Sequence, residues 1–71
     1  MDKQEAQRAA YGLAAYHLWQ ALPSGVVAKD LADLRFESTD EAVELVTAEL
    51  KVLMLDYEHR SGRVIVPPGQ H

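Results

Sequence analysis

Three groups of side chains in this 71-residue sequence could act on another molecule. Asp40, Glu41 and Glu44 stand close together, His59, Arg60 and Arg63 flank Ser61-Gly62, and Ser24, Ser38, Ser61, His17 and His71 are further nucleophilic or ligating types. Catalysis by such groups needs a nucleophile beside a base, or carboxylates converging on a cleft. The serines stand in turn or cap contexts, and neither a nucleophile elbow nor a glycine-rich phosphate loop is present. Asp56 and Glu58 lie two apart, a spacing that on an exposed strand serves solubility. No histidine has another His or an Asp four residues away, the spacing by which one helix face holds a metal ion; His17, among aromatic residues, reads as a partly buried helix histidine. The sequence therefore implies no enzyme, no metal and no cofactor. What remains is recognition through charge and apolar surface.

The net charge is −4, while a domain that holds nucleic acid through phosphates is expected to be basic. The charge is also unevenly placed. Residues 38–51 carry Lys51 against Asp40, Glu41, Glu44 and Glu49, whereas residues 1–22 and 52–71 are each neutral. A chain 48% hydrophobic and 25% charged has a globular balance, and its length allows one domain with a margin of a few kcal/mol. There is no cysteine, and no apolar run has the length of a signal peptide or a membrane span. The expectation is a cytoplasmic protein without a membrane segment.

The elements that must position these groups follow from spacing. Asp2 with Glu5 has the form of a capping box, and an Ala- and Leu-rich stretch then runs to Pro23, which predicts helix 1 over 3–22. Its inner stripe is Tyr11, Ala14, Ala15, Leu18 and Leu22. Ser24 is a candidate N-cap for a short helix 2 over 25–35, with Val27, Ala28, Leu31 and Leu34 at helical spacing. Ser38 with Glu41 forms a second capping box, opening helix 3 over 39–51, with a core face centred on Val46. From Val52 an alternating pattern predicts a β-hairpin over 52–66: Leu53, Leu55 and Tyr57 face one way, and Met54, Asp56 and Glu58 the other. Ser61-Gly62 is its turn, either as a two-residue turn or within a four-residue loop that holds Arg60 and Arg63. Pro67-Pro68 ends the second strand, and residues 67–71 form a tail.

Three helices followed by a hairpin make an α+β fold, and the sequence resembles the winged helix-turn-helix superfamily over most of its length. The resemblance rests on Leu31-Ala32, Leu34 and Phe36 before the turn, on Val43, Val46 and Leu50 in the third helix, and on Leu53 through Tyr57 with Val64-Ile65-Val66 as the wing. It departs from the superfamily's usual form at Arg35-Phe36-Glu37, which lacks the common glycine, and in a third helix without base-reading side chains. The resemblance implies a regulatory role, as in transcription. Within it the acidic face of Asp40, Glu41 and Glu44 is open to three readings: a solvated helix start, a docking face for a protein with a basic surface, or a DNA-facing surface. A second apolar face on helix 1, Leu13 and Tyr16 flanked by Trp19, reads as a partner or homodimer surface, or else as ground covered by the hairpin or tail. The alternative function is a dimeric DNA-binding regulator whose wing, His59, Arg60 and Arg63, touches phosphates.

Overall fold

A computed structural model of the chain describes residues 1–65. It contains three helices, α1 (Lys3–Ala21), α2 (Ser24–Asp33) and α3 (Asp40–Ser61). No strand occurs among the described residues, so the expected α+β winged-helix architecture is corrected to an all-α one. The stretch expected as the first strand, from Val52, forms the closing turns of α3. Val64 and Ile65 are irregular, and Val66 with the expected tail over 67–71 lies outside the described residues.

The chemistry of residues 51–60 explains why the helix continues. Lys51, Leu53, Met54, Leu55, Glu58 and Arg60 are good helix formers, and no Gly or Pro interrupts the run before Gly62. Packing supplies the larger reason. Val43, Val46, Leu50, Met54, Tyr57 and Ser61 are buried or half-buried at spacings of three and four, so one helical stripe carries the packed face from end to end. Ser61-Gly62 is then a helix end and not a hairpin turn. Gly62 takes the left-handed conformation (φ 74°), and its N–H donates to the His59 carbonyl at 3.1 Å.

The other ends are capped in different ways. The Asp2 carboxylate accepts from the Glu5 N–H at 2.8 Å, as the sequence implies. At α3 the cap is Thr39, one residue after the expected Ser38, its hydroxyl oxygen accepting from the Ala42 N–H at 3.2 Å. Ser24, expected as a cap, lies inside the first turn of α2. There the Pro23 carbonyl accepts from Val26 and Val27 at 2.9 and 3.0 Å, and no side chain caps the helix.

The corner between α2 and α3 turns on Arg35. The Phe36 N–H donates to the Leu31 carbonyl at 2.8 Å and the Arg35 N–H to the Ala32 carbonyl at 3.0 Å, the paired bonds of a Schellman ending. Such an ending needs a left-handed residue, normally glycine, and Arg35 takes that position with φ 65°. The missing glycine is thus replaced by a strained arginine. Arg35→Gly is expected to stabilise the fold by about 0.5–1 kcal/mol, because relief of about 1–2 kcal/mol of left-handed strain exceeds the added freedom of the unfolded chain. Urea unfolding checks this: the midpoint should rise at unchanged slope.

Helix α1 packs along α3, its first half beside the last turns of α3. A side chain at Gly12 would meet Ser61 Cβ at 3.6 Å and Ile65 Cδ1 at 3.7 Å. Tyr11 and Tyr57 lie with ring centroids 5.7 Å apart, tilted by 34°. Helix α2 covers the first half of α3. The buried apolar set is small, Ala15, Val27, Ala42, Val43 and Met54, and no large side chain among the described residues is fully enclosed. The principal extents are 42 × 27 × 17 Å, and the smallest is about one helix-to-helix spacing of 8–10 Å plus the helices' own backbone width. Two helices span that dimension, and among the described residues no further element is stacked on the side of α3 turned away from α1 and α2.

Candidate functional site

The outer side of α3 gathers most of what could bind. Leu45, Ala48, Val52 and Leu55 recur at spacings of three, four and three, which places them on one stripe turned about half a revolution from the packed face. All four are exposed, Leu45 by 63%, Val52 by 62% and Leu55 by 57%. A helix with one packed side ordinarily keeps the opposite side polar. Here it is a second apolar face.

The expected acidic residues border that stripe. Asp40 and Glu41 occupy the first turn of α3, where carboxylates are stabilised by the helix dipole, and Glu44 follows one turn on. All three are exposed, as are Glu49 and Lys51 further along. The ion pairs among the described residues are Lys29–Asp33 at 2.7 Å and Arg60–Asp56 at 3.0 Å, so Asp40, Glu41, Glu44 and Glu49 have no cation attached. Apolar stripe and negative border are one continuous surface.

The residues expected on a wing are elsewhere. His59 and Arg60 sit in the last turn of α3, where positive charge complements the helix end, and Arg63 follows Gly62. Arg60 is engaged within the fold. Its Nε donates to Asp56 Oδ2, and its guanidinium lies 5.5 Å from the centre of the Tyr11 ring. The hydrogen bond and the charge of Asp56, with a smaller contribution from Tyr11, raise the Arg60 pKa above its ordinary value. The basic hairpin tip is thereby corrected to a helix C-terminus that clasps α1. Ser61, buried at the same join, donates to the Glu58 carbonyl at 2.6 Å and accepts from the Arg63 N–H at 3.2 Å. Glu58 in turn accepts from the Ile65 N–H at 3.1 Å, tying the chain after α3 back onto the helix.

The three residues expected on the outer face of α1 do not share one environment. Leu13 is 61% exposed, whereas Tyr16 and Trp19 are half-buried, with the Tyr16 ring edge-on to His17 at 5.6 Å. The Trp19 indole Nε1 is covered and has no acceptor among the described residues. Leu13 and Tyr16 line an open groove with Met1, Val64 and Ile65. A second shallow groove, between α2 and α3, is lined by Leu31, Phe36, Leu45 and Val46, and it joins the outer stripe of α3 at Leu45.

Among the described residues no group of His, Asp and Glu side chains is placed to hold a metal ion, and no helix is long and apolar enough to cross a membrane. Compared with known protein families, characterised proteins and solved structures, the chain matches none.

The stripe of Leu45, Val52 and Leu55 lies outside the sites expected from the sequence, although its spacing is present there. A hairpin assigned from Val52 cut the pattern in half, leaving Leu45 and Ala48 as two isolated positions.

Proposed function

We propose that this chain is a non-catalytic regulatory module that binds a protein with a basic surface, and that the partner docks on the outer side of α3. The observation that carries this reading is the exposed stripe of Leu45, Val52 and Leu55 bordered by Asp40, Glu41, Glu44 and Glu49. Contiguous exposed apolar surface rimmed by polar groups is characteristic of protein interaction sites. Its energetics divide naturally. The apolar side chains supply affinity by leaving water, at about 25 cal/mol per Å² of buried area, while the carboxylates set the approach and discriminate against acidic proteins.

The alternative of a DNA-binding regulator has less to stand on. Its wing is not formed among the described residues, Arg60 is committed to Asp56 and Tyr11, and the outward face of the third helix would meet phosphates with carboxylates. A cytoplasmic setting belongs to the same proposal, supported by a sequence without cysteine.

The kinetics of complex formation with an isolated partner test the reading. Asp40→Lys plus Glu44→Lys should slow association at least about tenfold at low salt and flatten its salt dependence. Val52→Ser plus Leu55→Ser should chiefly speed dissociation, since most interface substitutions act there. Wild-type rates in both variants would move the docking site off α3.

A further inference from the structure

We infer that the segment received by α3 is itself an α-helix, apolar along one seam and basic along both edges of that seam. This inference rests on the docking reading above and adds the partner's shape and charge.

The shape follows from the spacing. Leu45 and Val52 occupy one position of a heptad and Ala48 and Leu55 the other, so the stripe drifts along α3 as a coiled-coil seam does. A straight strand or a loop would follow such a stripe for only one or two of its side chains. A second helix, crossing at a shallow angle, keeps contact along all of it. Glu41 and His59 continue the same heptad positions at either end, so the apolar section is bounded by polar residues on both sides. The apolar run is short, about 15 Å from Leu45 to Leu55 at 1.5 Å per residue, and two to three heptads of partner helix would cover it.

The charge disfavours a second copy as the occupant. Were two α3 helices paired in parallel along this seam, Glu44 of each would approach Glu49 of the other. Paired antiparallel about residue 50, Leu45 would meet Leu55 and Ala48 would meet Val52 across the axis, but Glu49 would face Glu49 and Lys51 would face Lys51. Either arrangement brings like charges together at the edges. The edges hold Asp40, Glu44 and Glu49 against Lys51, with Glu41 at the start of the seam and Asp56 already paired to Arg60. Lysines or arginines flanking the partner's seam complement these edges in both directions. The surface therefore favours a basic amphipathic helix over itself.

The test uses the whole chain and two synthetic 21-residue helical peptides, identical in carrying Leu at both seam positions and differing in Lys or Glu at the flanking ones. Titration calorimetry should show the basic peptide binding, the acidic one at least about tenfold weaker, and the difference shrinking as salt rises. Val52→Ser plus Leu55→Ser, which leaves every charge in place, should weaken the basic peptide at least about tenfold at unchanged circular dichroism. Glu44→Lys plus Glu49→Lys should reverse the preference between the peptides. If both peptides bind equally and the serine variant loses both, α3 docks helices but the basic-partner inference is overturned. If neither binds and the wild-type chain sediments as a dimer that the serine variant dissolves, the occupant is a second copy; the inference falls while the interaction surface stands. If neither binds and the chain is monomeric, both fall.

Discussion

Met54→Asp should unfold this chain, whereas Leu55→Asp should leave its helical circular dichroism and its melting temperature nearly unchanged. Met54 is 5% exposed on the packed side of α3, and Leu55, one residue on, is 57% exposed on the outer side. An aspartate at 54 removes an apolar side chain worth about 2–5 kcal/mol in a core and adds a carboxylate with no partner, a further penalty of several kcal/mol. A domain of this size holds only about 3–5 kcal/mol in all. At 55 the new carboxylate stays in water, where substitutions usually change stability by less than about 0.5 kcal/mol. The pair also separates the two secondary structures these residues were able to adopt. On a hairpin, Leu55 belongs to the inward row with Leu53 and Tyr57, and Met54 to the outward row with Asp56 and Glu58, so the two effects would exchange places.

Tyr11→Ala is expected to cost about 2–3 kcal/mol, the sum of a half-buried aromatic side chain and an aromatic pair worth about 0.5–1.5 kcal/mol. Tyr11 is where α1 meets the end of α3, with Tyr57 on one side and the Arg60 guanidinium over its ring. In a protein whose buried apolar set is Ala15, Val27, Ala42, Val43 and Met54, that loss is a large share of the whole. Tyr11→Phe keeps the ring and should cost less than about 1 kcal/mol, and Arg60→Ala, an exposed change, a small fraction of the Tyr11→Ala loss. Chemical denaturation with matched slopes measures all three. Equal losses for Tyr11→Phe and Tyr11→Ala would place the stabilisation in the hydroxyl and not in the ring.

The three helices of the first fifty residues are legible, because both ends of α1 and the periodic run that opens α3 have local causes. Asp2 caps α1, Pro23 ends it, and the periodic run from Ala42 to Leu50 can be read only as a helix. Beyond Val52 local pattern stops being decisive. Leu53, Met54, Leu55, Asp56, Tyr57 and Glu58 alternate well enough for a strand, yet Leu50, Met54, Tyr57 and Ser61 also continue the helical period. Glycine after serine signals a tight turn and a helix end equally well. The choice is made by packing against α1, through Tyr11 and Gly12, which lie some forty-five residues away in sequence. The same error hid half of the candidate site. Asp40, Glu41 and Glu44 were legible as outward charges because they belong to a helix that was seen, whereas Val52 and Leu55 become neighbours of Leu45 only when the helix runs through to Ser61.

Arg35 shows a second kind of limit. Without a glycine the turn between α2 and α3 looked irregular, and a sequence cannot show that an arginine will accept φ 65° there. The two backbone bonds to Leu31 and Ala32 hold it in place.

Methyl-labelled NMR of the full chain during titration with the basic amphipathic peptide tests the central claim most directly. Docking on the outer side of α3 predicts that the Leu45, Val52 and Leu55 methyl signals shift together with the degree of binding, while those of Val27 and Val43, on the packed side, hold still. Shifts concentrated at Leu13 of α1 with the α3 methyls unmoved would contradict it.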